Sequence, residues 1–282
     1  MVGETASAWQ GSGPYTFAIR GTDTDWRDRL HLFSLFSFMQ EAAYANAESG
    51  GLGSSILDRQ GFCWMIIRIS VRMNSLPKWG ETLTVKTWSR GCRKLTFLRD
   101  FEFFNDSGEQ IGCASSEWLI GSAVDHRPQR PDSILTDRRL PEDTRAVFPE
   151  TIQRPPKFTE NQDEQPVLTV YADYSDIDRN RHVNNTRYVA WCLNALHAAI
   201  RPALVEVRGL DIHYVSEVRL GDKIQVWHRL GEPGVHLLEA RRSADGVVVF
   251  RARANSEQLR TKLNSEIFFA IINCVKRCSR PD

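Results

Sequence analysis

Asp178, Asn180 and His182 stand at every second position in Asp176-Ile177-Asp178-Arg179-Asn180-Arg181-His182-Val183-Asn184-Asn185. An acid, an amide and an imidazole are groups that can orient, polarise and deprotonate a reactant. Alternate side chains of an extended segment point the same way, so the spacing predicts that the three face one cavity. The stretch runs into Thr186-Arg187-Tyr188-Val189-Ala190-Trp191-Cys192-Leu193. There Tyr188, Trp191, Cys192 and Ala195, at i, i+3, i+4 and i+7, predict a helix with one buried face. Asn184 and Asn185 suit its N-cap. Free backbone N–H groups near Val183 and Asn184, with the positive end of the helix dipole, would then hold a carbonyl oxygen as it becomes an oxyanion. Asp, Asn and His also gather in turns and caps, so the row alone leaves a purely structural role open.

The elements that must position this row occur twice. Trp79-Gly80-Glu81-Thr82-Leu83-Thr84-Val85 in the first half matches Leu220-Gly221-Asp222-Lys223-Ile224-Gln225-Val226 in the second. Each reads as strand, Gly-acid turn, strand. Downstream, Asn105-Asp106-Ser107-Gly108 and Ser243-Ala244-Asp245-Gly246 are hairpin turns between alternating runs. One helix precedes each strand set, over 32–49 and 185–200. Helices segregated from strands in this way mean an α+β fold with one helix covering one face of each sheet. Residues 123–166 hold seven of the twelve prolines and read as a crossing segment. The expected organisation is a first half, 1–122, the crossing segment, a second half, 167–262, and a tail, 263–282.

Bulk properties remove several function classes. Net charge is +1, which argues against a nucleic-acid binder or a polybasic membrane anchor. No apolar run is long enough to span a bilayer, the tail's Ile267–Ile272 included, and 1–14 does not read as a signal peptide. The six cysteines lack the close pairing of a metal knuckle or redox motif, so free thiols in a reducing cytoplasm are expected, with no metal and no cofactor.

The second-half signature with its helix, Arg187-Tyr188 and Trp191, resembles the acyl-acyl carrier protein thioesterases. So do Arg72-Met73, Pro77-Lys78-Trp79-Gly80, Thr87-Trp88 and Arg99-Asp100-Phe101 in the first half. The resemblance spans roughly 15–257. It implies a tandem hotdog fold, hydrolysis of fatty acyl-carrier-protein thioesters, and acyl carrier protein with its phosphopantetheine arm as partner; a homodimer is left open. It also implies catalytic roles for Asp178, Asn180, His182 and Glu217. Many relatives carry a Cys after that Glu, once proposed as nucleophile; Val218 stands here, so that covalent route is excluded. Cys192, on the predicted buried helix face, is expected to be inert packing.

On this reading Glu217 and His182 activate water, with the identity of the base open. Asn180 polarises the carbonyl, and Asp178 fixes Asn180 or His182. In the first half, Asp23-Thr24-Asp25-Trp26-Arg27-Asp28-Arg29-Leu30-His31 lacks an Asn-x-His pair, and Leu76 stands where Glu217 does in the second. That half is expected to be catalytically dead and to hold the acyl chain with Phe36, Met39, Trp64, Met65, Ile67 and Ile69. Each buried methylene contributes about 0.8 kcal/mol, so pocket depth would set chain length. Rival readings are a hotdog acyl-CoA thioesterase, a hotdog dehydratase and a non-catalytic acyl-binding sensor. Only the sensor would survive loss of His182 or Glu217.

Overall fold

A computed structural model of the chain describes residues 13–134, 145–148, 152, 154–159, 164–201 and 205–258. In the first half β1 (Tyr15–Ala18) leads to α1 (Leu32–Ser49) and the single turn α2 (Ser54–Leu57). The strands β2 (Phe62–Met73), β3 (Thr82–Arg93), β4 (Thr96–Phe104) and β5 (Gln110–Ser122) follow. The second half repeats the order with β6 (Leu168–Tyr171), α3 (Asn185–Ile200), β7 (Val205–Tyr214), β8 (Lys223–Leu230), β9 (Val235–Arg242) and β10 (Val248–Gln258). The tail and its cysteines, Cys274 and Cys278, lie outside the described residues. Among the described residues, no helix is long and apolar enough to cross a membrane.

Both long helices fall where their apolar stripes predict. In α1, Leu32, Leu35, Phe36, Met39, Ala42, Ala43 and Asn46 are buried, the i, i+3, i+4, i+7 spacing of one face. In α3, Asn184 caps the start by accepting from the Thr186 N–H at 2.9 Å. The helix stops at Arg201, whose extended ψ of 140° is what the following Pro202 requires.

All ten strands join one antiparallel sheet, in the order β1-β3-β4-β5-β2-β7-β10-β9-β8-β6. The halves meet where β2 pairs with β7, from Arg68 opposite His213 to Arg72 opposite Gly209. One apolar core crosses that seam, joining Phe36, Met39 and Ile69 to Trp191, Leu210 and Phe250. A smaller cluster of Leu57, Phe97, Ile120 and Ile134 lies beneath α2. The described parts of the crossing segment are tied to both halves. Val147 N–H donates to Asp100 Oδ2 (2.9 Å) in the first, and Phe158 N–H to Glu239 Oε2 (3.2 Å) in the second.

The repeat extends to single hydrogen bonds. Gly80 and Gly221 adopt φ of 84° and 86° in the same turn, a conformation that favours glycine. Leu30 N–H donates to Pro77 O and Val183 N–H to Val218 O, each at 2.9 Å. His31 N–H donates to Asp23 O (2.9 Å) and Asn184 N–H to Asp176 O (2.8 Å). Leu76 therefore does occupy the position of Glu217. The same registration puts Arg27 and Arg29 where Asn180 and His182 stand, and Asp25 where Asp178 stands.

Candidate active site

The Asp178–His182 row is not extended. Ile177 and Val183 form an isolated antiparallel bridge, and the five residues between them make a tight loop. Asp178 N–H donates to His182 O at 2.9 Å, and Arg181 N–H to Asp178 O at 3.0 Å. Arg181 sits in the left-handed region at φ 64°. The cause is Asp178 itself: its carboxylate accepts from the Asn180 N–H at 2.8 Å and also holds the backbone N–H of His182. Burial pushes the Asp178 carboxyl above its usual value, and those two N–H groups pull it back. Asp178 thus fixes the loop through its backbone, and the loop delivers Asn180 and His182 to one cavity.

The expected oxyanion donors are a second correction. The N–H groups of Val183 and Asn184 are spent on Val218 O and Asp176 O. The Asn180 side chain, which lines the cavity, carries an amide that can donate there. Asn185, the first residue of α3, also lines it, and its buried Oδ1 has no hydrogen-bond partner. Asp176 is structural: its carboxylate accepts from Asp173 N–H (3.0 Å) and Arg187 Nε (2.6 Å).

Glu217 lies in the link between β7 and β8. Val218 N–H donates to Tyr188 Oη at 3.0 Å, so α3 pins the link directly after the carboxylate. Burial raises the Tyr188 phenol well above its usual value, which keeps it neutral. Glu217 does not pair with Arg219. Its Oε2 lies 3.0 Å from His182 Nε2, and its Oε1 lies 2.5 Å from His126 Nδ1. The two imidazole rings meet edge to face, 4.6 Å apart at 71°. Burial holds the His182 imidazole below its ordinary value; Glu217 opposes this, while His126 and Arg219 add to it. Burial thus favours the neutral imidazole.

His126 escaped the sequence reading because it falls in the crossing segment, 91 residues from Glu217. Only the sheet order could have revealed the contact: β5, which carries His126 in the turn at its end, is separated from β7 by β2 alone. Donor atoms of His126, His182 and Glu217 lie within 4.8 Å of one another, a set able to hold a divalent ion. Both carboxylate oxygens are, however, already engaged by imidazoles.

The cavity has a volume of about 390 Å³ and runs from this cluster into the first half. Trp64, Met65 and Ile67 line it as expected, with Ala43, Ala47, Leu52, Phe97 and Trp118. Phe36, Met39 and Ile69 do not; they are core residues, each 3% exposed or less. On α1 the cavity face is Gln40, Ala43, Tyr44 and Ala47, one flank away from the bulky stripe. On β2 a register shift between Ile66 and Arg68 leaves Ile67 as an extra residue turned to the cavity, while Ile69 returns to the core. Two cysteines bear on the nucleophile question. Cys192 is buried, and burial pushes its thiol up to about 12. Cys63 lines the cavity, but burial and the nearby Glu217, Asp58 and Asp178 push its thiol up to about 11. Neither is a thiolate at neutral pH.

A sheet carrying one long helix per half, with a polar loop at the start of the second helix, is the tandem hotdog architecture of known thioesterases. An acyl-ACP thioesterase from Bacteroides thetaiotaomicron superposes with a TM-score of 0.73 at 26% identity, over 87% of this chain and 97% of that one. The 12:0-ACP thioesterase from Umbellularia californica has the same fold, at TM-score 0.73, 22% identity and 88% and 97% coverage. Models of the acyl-ACP thioesterase N-terminal and C-terminal domains match residues 14–139 and 159–265. The chain belongs to the acyl-ACP thioesterase family. It is 24% identical over 223 residues to the chloroplastic oleoyl-acyl carrier protein thioesterase 1 of Arabidopsis thaliana, covering 74% of this chain and 61% of that protein. It is 25% identical over 223 residues to the dodecanoyl-[acyl-carrier-protein] hydrolase of Cinnamomum camphora, covering 74% and 57%. The chain thus spans about three fifths of the length of these plant relatives.

Proposed function

We propose that the protein hydrolyses fatty acyl-acyl carrier protein thioesters with His182 as general base. The observation that carries this reading is the His182–Glu217 contact of 3.0 Å at the mouth of an apolar cavity. An ionised carboxylate only accepts hydrogen bonds, so each imidazole must donate to Glu217: His126 through Nδ1–H and His182 through Nε2–H. The lone pair of His182 is then on Nδ1. With both oxygens of Glu217 engaged, the imidazole is the group free to take a proton.

Water attacks the carbonyl carbon as His182 Nδ1 removes its proton and the carbonyl π pair moves onto oxygen. The Asn180 amide donates to that oxyanion. Re-forming C=O expels the C–S bond pair onto sulfur, and the proton held by His182 goes to the thiolate. The products are one carboxylic acid and one thiol. Glu217, on the far side of the ring, stabilises the imidazolium between the two transfers.

Hydrolysis rates over a chain-length series of acyl-carrier-protein thioesters and matching acyl-CoAs test the reading. Higher kcat/KM on the carrier-protein series is the expected result. Preference for CoA would move the function to acyl-CoA turnover, and binding without hydrolysis would favour a sensor. We further propose that the protein works in a reducing cytoplasm, a reading supported by the free thiols of the four described cysteines.

Two further outcomes follow. The base works only when neutral, and burial lowers the His182 value from 6.5, so the acidic limb of kcat/KM should lie below pH 6.5. A limb above pH 7 in a pH–rate profile would contradict this. Ala47→Phe should fill part of the cavity and selectively slow long chains, by about fourfold for each methylene excluded at about 0.8 kcal/mol. Equal slowing of every chain length would remove Ala47 from the acyl path.

A further inference from the structure

We propose that His126 is a positioning residue of the active site, so that the turn leaving the last strand of the first half supplies one side chain to the reaction. This rests on the hydrolytic reading above and names a part of the machinery it did not include. His126 Nδ1 holds Oε1 of Glu217 at 2.5 Å while His182 Nε2 holds Oε2 at 3.0 Å. A carboxylate gripped at both oxygens has its plane fixed. Its second oxygen is thereby aimed at the ring that must swing from neutral to charged and back in each turnover.

The backbone is built to present this imidazole. His126 N–H donates to Ser122 O at 2.9 Å, Ser122 N–H to Arg127 O at 3.0 Å, and Gly121 pairs with Pro128 as an antiparallel bridge. The turn is also pinned to the entrance of β2 by Ala123 N–H on Gly61 O, 2.8 Å. Within it His126 adopts φ 55°, a left-handed conformation that costs a non-glycine residue energy and is tolerated best by Asn, Asp and His. A residue chosen for the turn alone would be glycine or asparagine. The imidazole instead reaches a carboxylate contributed from beyond β7.

One consequence gives the role its signature. Loss of the His126 donor leaves the Glu217 anion less well stabilised and free to rotate, which weakens its support of the His182 imidazolium. That imidazolium forms only as the reaction proceeds, so the loss should fall on kcat and not on KM.

The test compares wild type with His126→Gly, which deletes the ring without straining the left-handed backbone, and His126→Asn. Asparagine tolerates that backbone and places an amide N–H close to the position of Nδ1. In His126→Gly, kcat at pH 7 should fall roughly 10- to 100-fold, less than the 10²–10⁴ expected for loss of the proton-transfer group itself. KM should hold. His126→Asn should recover most of kcat. An independent readout needs no substrate: the proton NMR signal of the His126 ring N–H that bonds Glu217, in wild type and Glu217→Gln. A protected ring N–H signal in wild type that is lost in Glu217→Gln supports the proposal even if the carrier-protein thioester proves to be the wrong substrate. Wild-type kcat in His126→Gly would overturn it, as would a ring N–H signal unchanged by Glu217→Gln. Loss of wild-type activity to a chelator and its return with Zn²⁺ would also overturn it, by making the cluster a metal site.

Discussion

Glu217→Gln should lower kcat for thioester hydrolysis by about 10²–10⁴-fold, with KM nearly unchanged and the fold intact. The amide keeps the size of the side chain but replaces an acceptor of two hydrogen bonds with one oxygen and one NH₂ donor. That NH₂ must face either His126 Nδ1 or His182 Nε2. With the NH₂ toward His182, Nε2 must accept and the lone pair is no longer on Nδ1; with it toward His126, Nδ1 of that ring must accept instead. The imidazolium formed as water is deprotonated also loses its counter-charge. Stability should change little, because the Glu217 side chain is 42% exposed and anchors no part of the core. His182→Gln should cost as much, and the double variant no more than either single one, since the two residues act as one unit. Steady-state kinetics with thermal melts on the three variants decide the matter. A loss under tenfold in Glu217→Gln, or additive losses in the double variant, would mean that Glu217 and His182 do not work together.

The sequence reading succeeded where a local rule and a tertiary requirement coincide. The two long helices were legible because their buried stripes are continuous and because Asn184 marks the start of α3. Leu76 could be aligned with Glu217 because each sits four residues before a glycine whose positive φ the turn demands. The reading failed where a side chain altered its own backbone. Alternation predicted an extended row, but the Asp178 carboxylate captured two nearby N–H groups and closed the segment into a loop. It failed again at the cavity lining, because the bulkiest apolar residues of α1 are those that fill the core. A cavity exists only where side chains stop short, and Ala43 and Ala47 mark it. His126 was illegible for a third reason: its partner is brought near by strand order across the β2–β7 seam.

Asn180→Ala should reduce kcat by about 10²–10³-fold, the usual cost of one oxyanion donor. The backbone donors near the start of α3 cannot replace it, since Val183 N–H and Asn184 N–H are bound to Val218 O and Asp176 O. Alanine is a clean probe here. Asn180 helps hold the loop through its backbone N–H, which donates to Asp178 Oδ1 at 2.8 Å, and alanine keeps that N–H. Asn180 is exposed on the cavity side, so no core packing is lost. Asn180→Asp should be worse than Ala, because it sets a negative charge against the developing oxyanion and raises the His182 value. Its residual rate should therefore show an acidic limb at higher pH, while that of Asn180→Ala stays in place. Arg27, the structural counterpart of Asn180, is instead paired with Asp25 at 2.9 Å and Glu206 at 3.5 Å. The first-half loop has the same backbone but has its polar groups tied to one another, and Arg27→Asn there should leave kcat unchanged. If Asn180→Ala retains kcat within about threefold of wild type, the oxyanion must be held elsewhere, and Asn185, whose side chain also lines the cavity, becomes the residue to vary next.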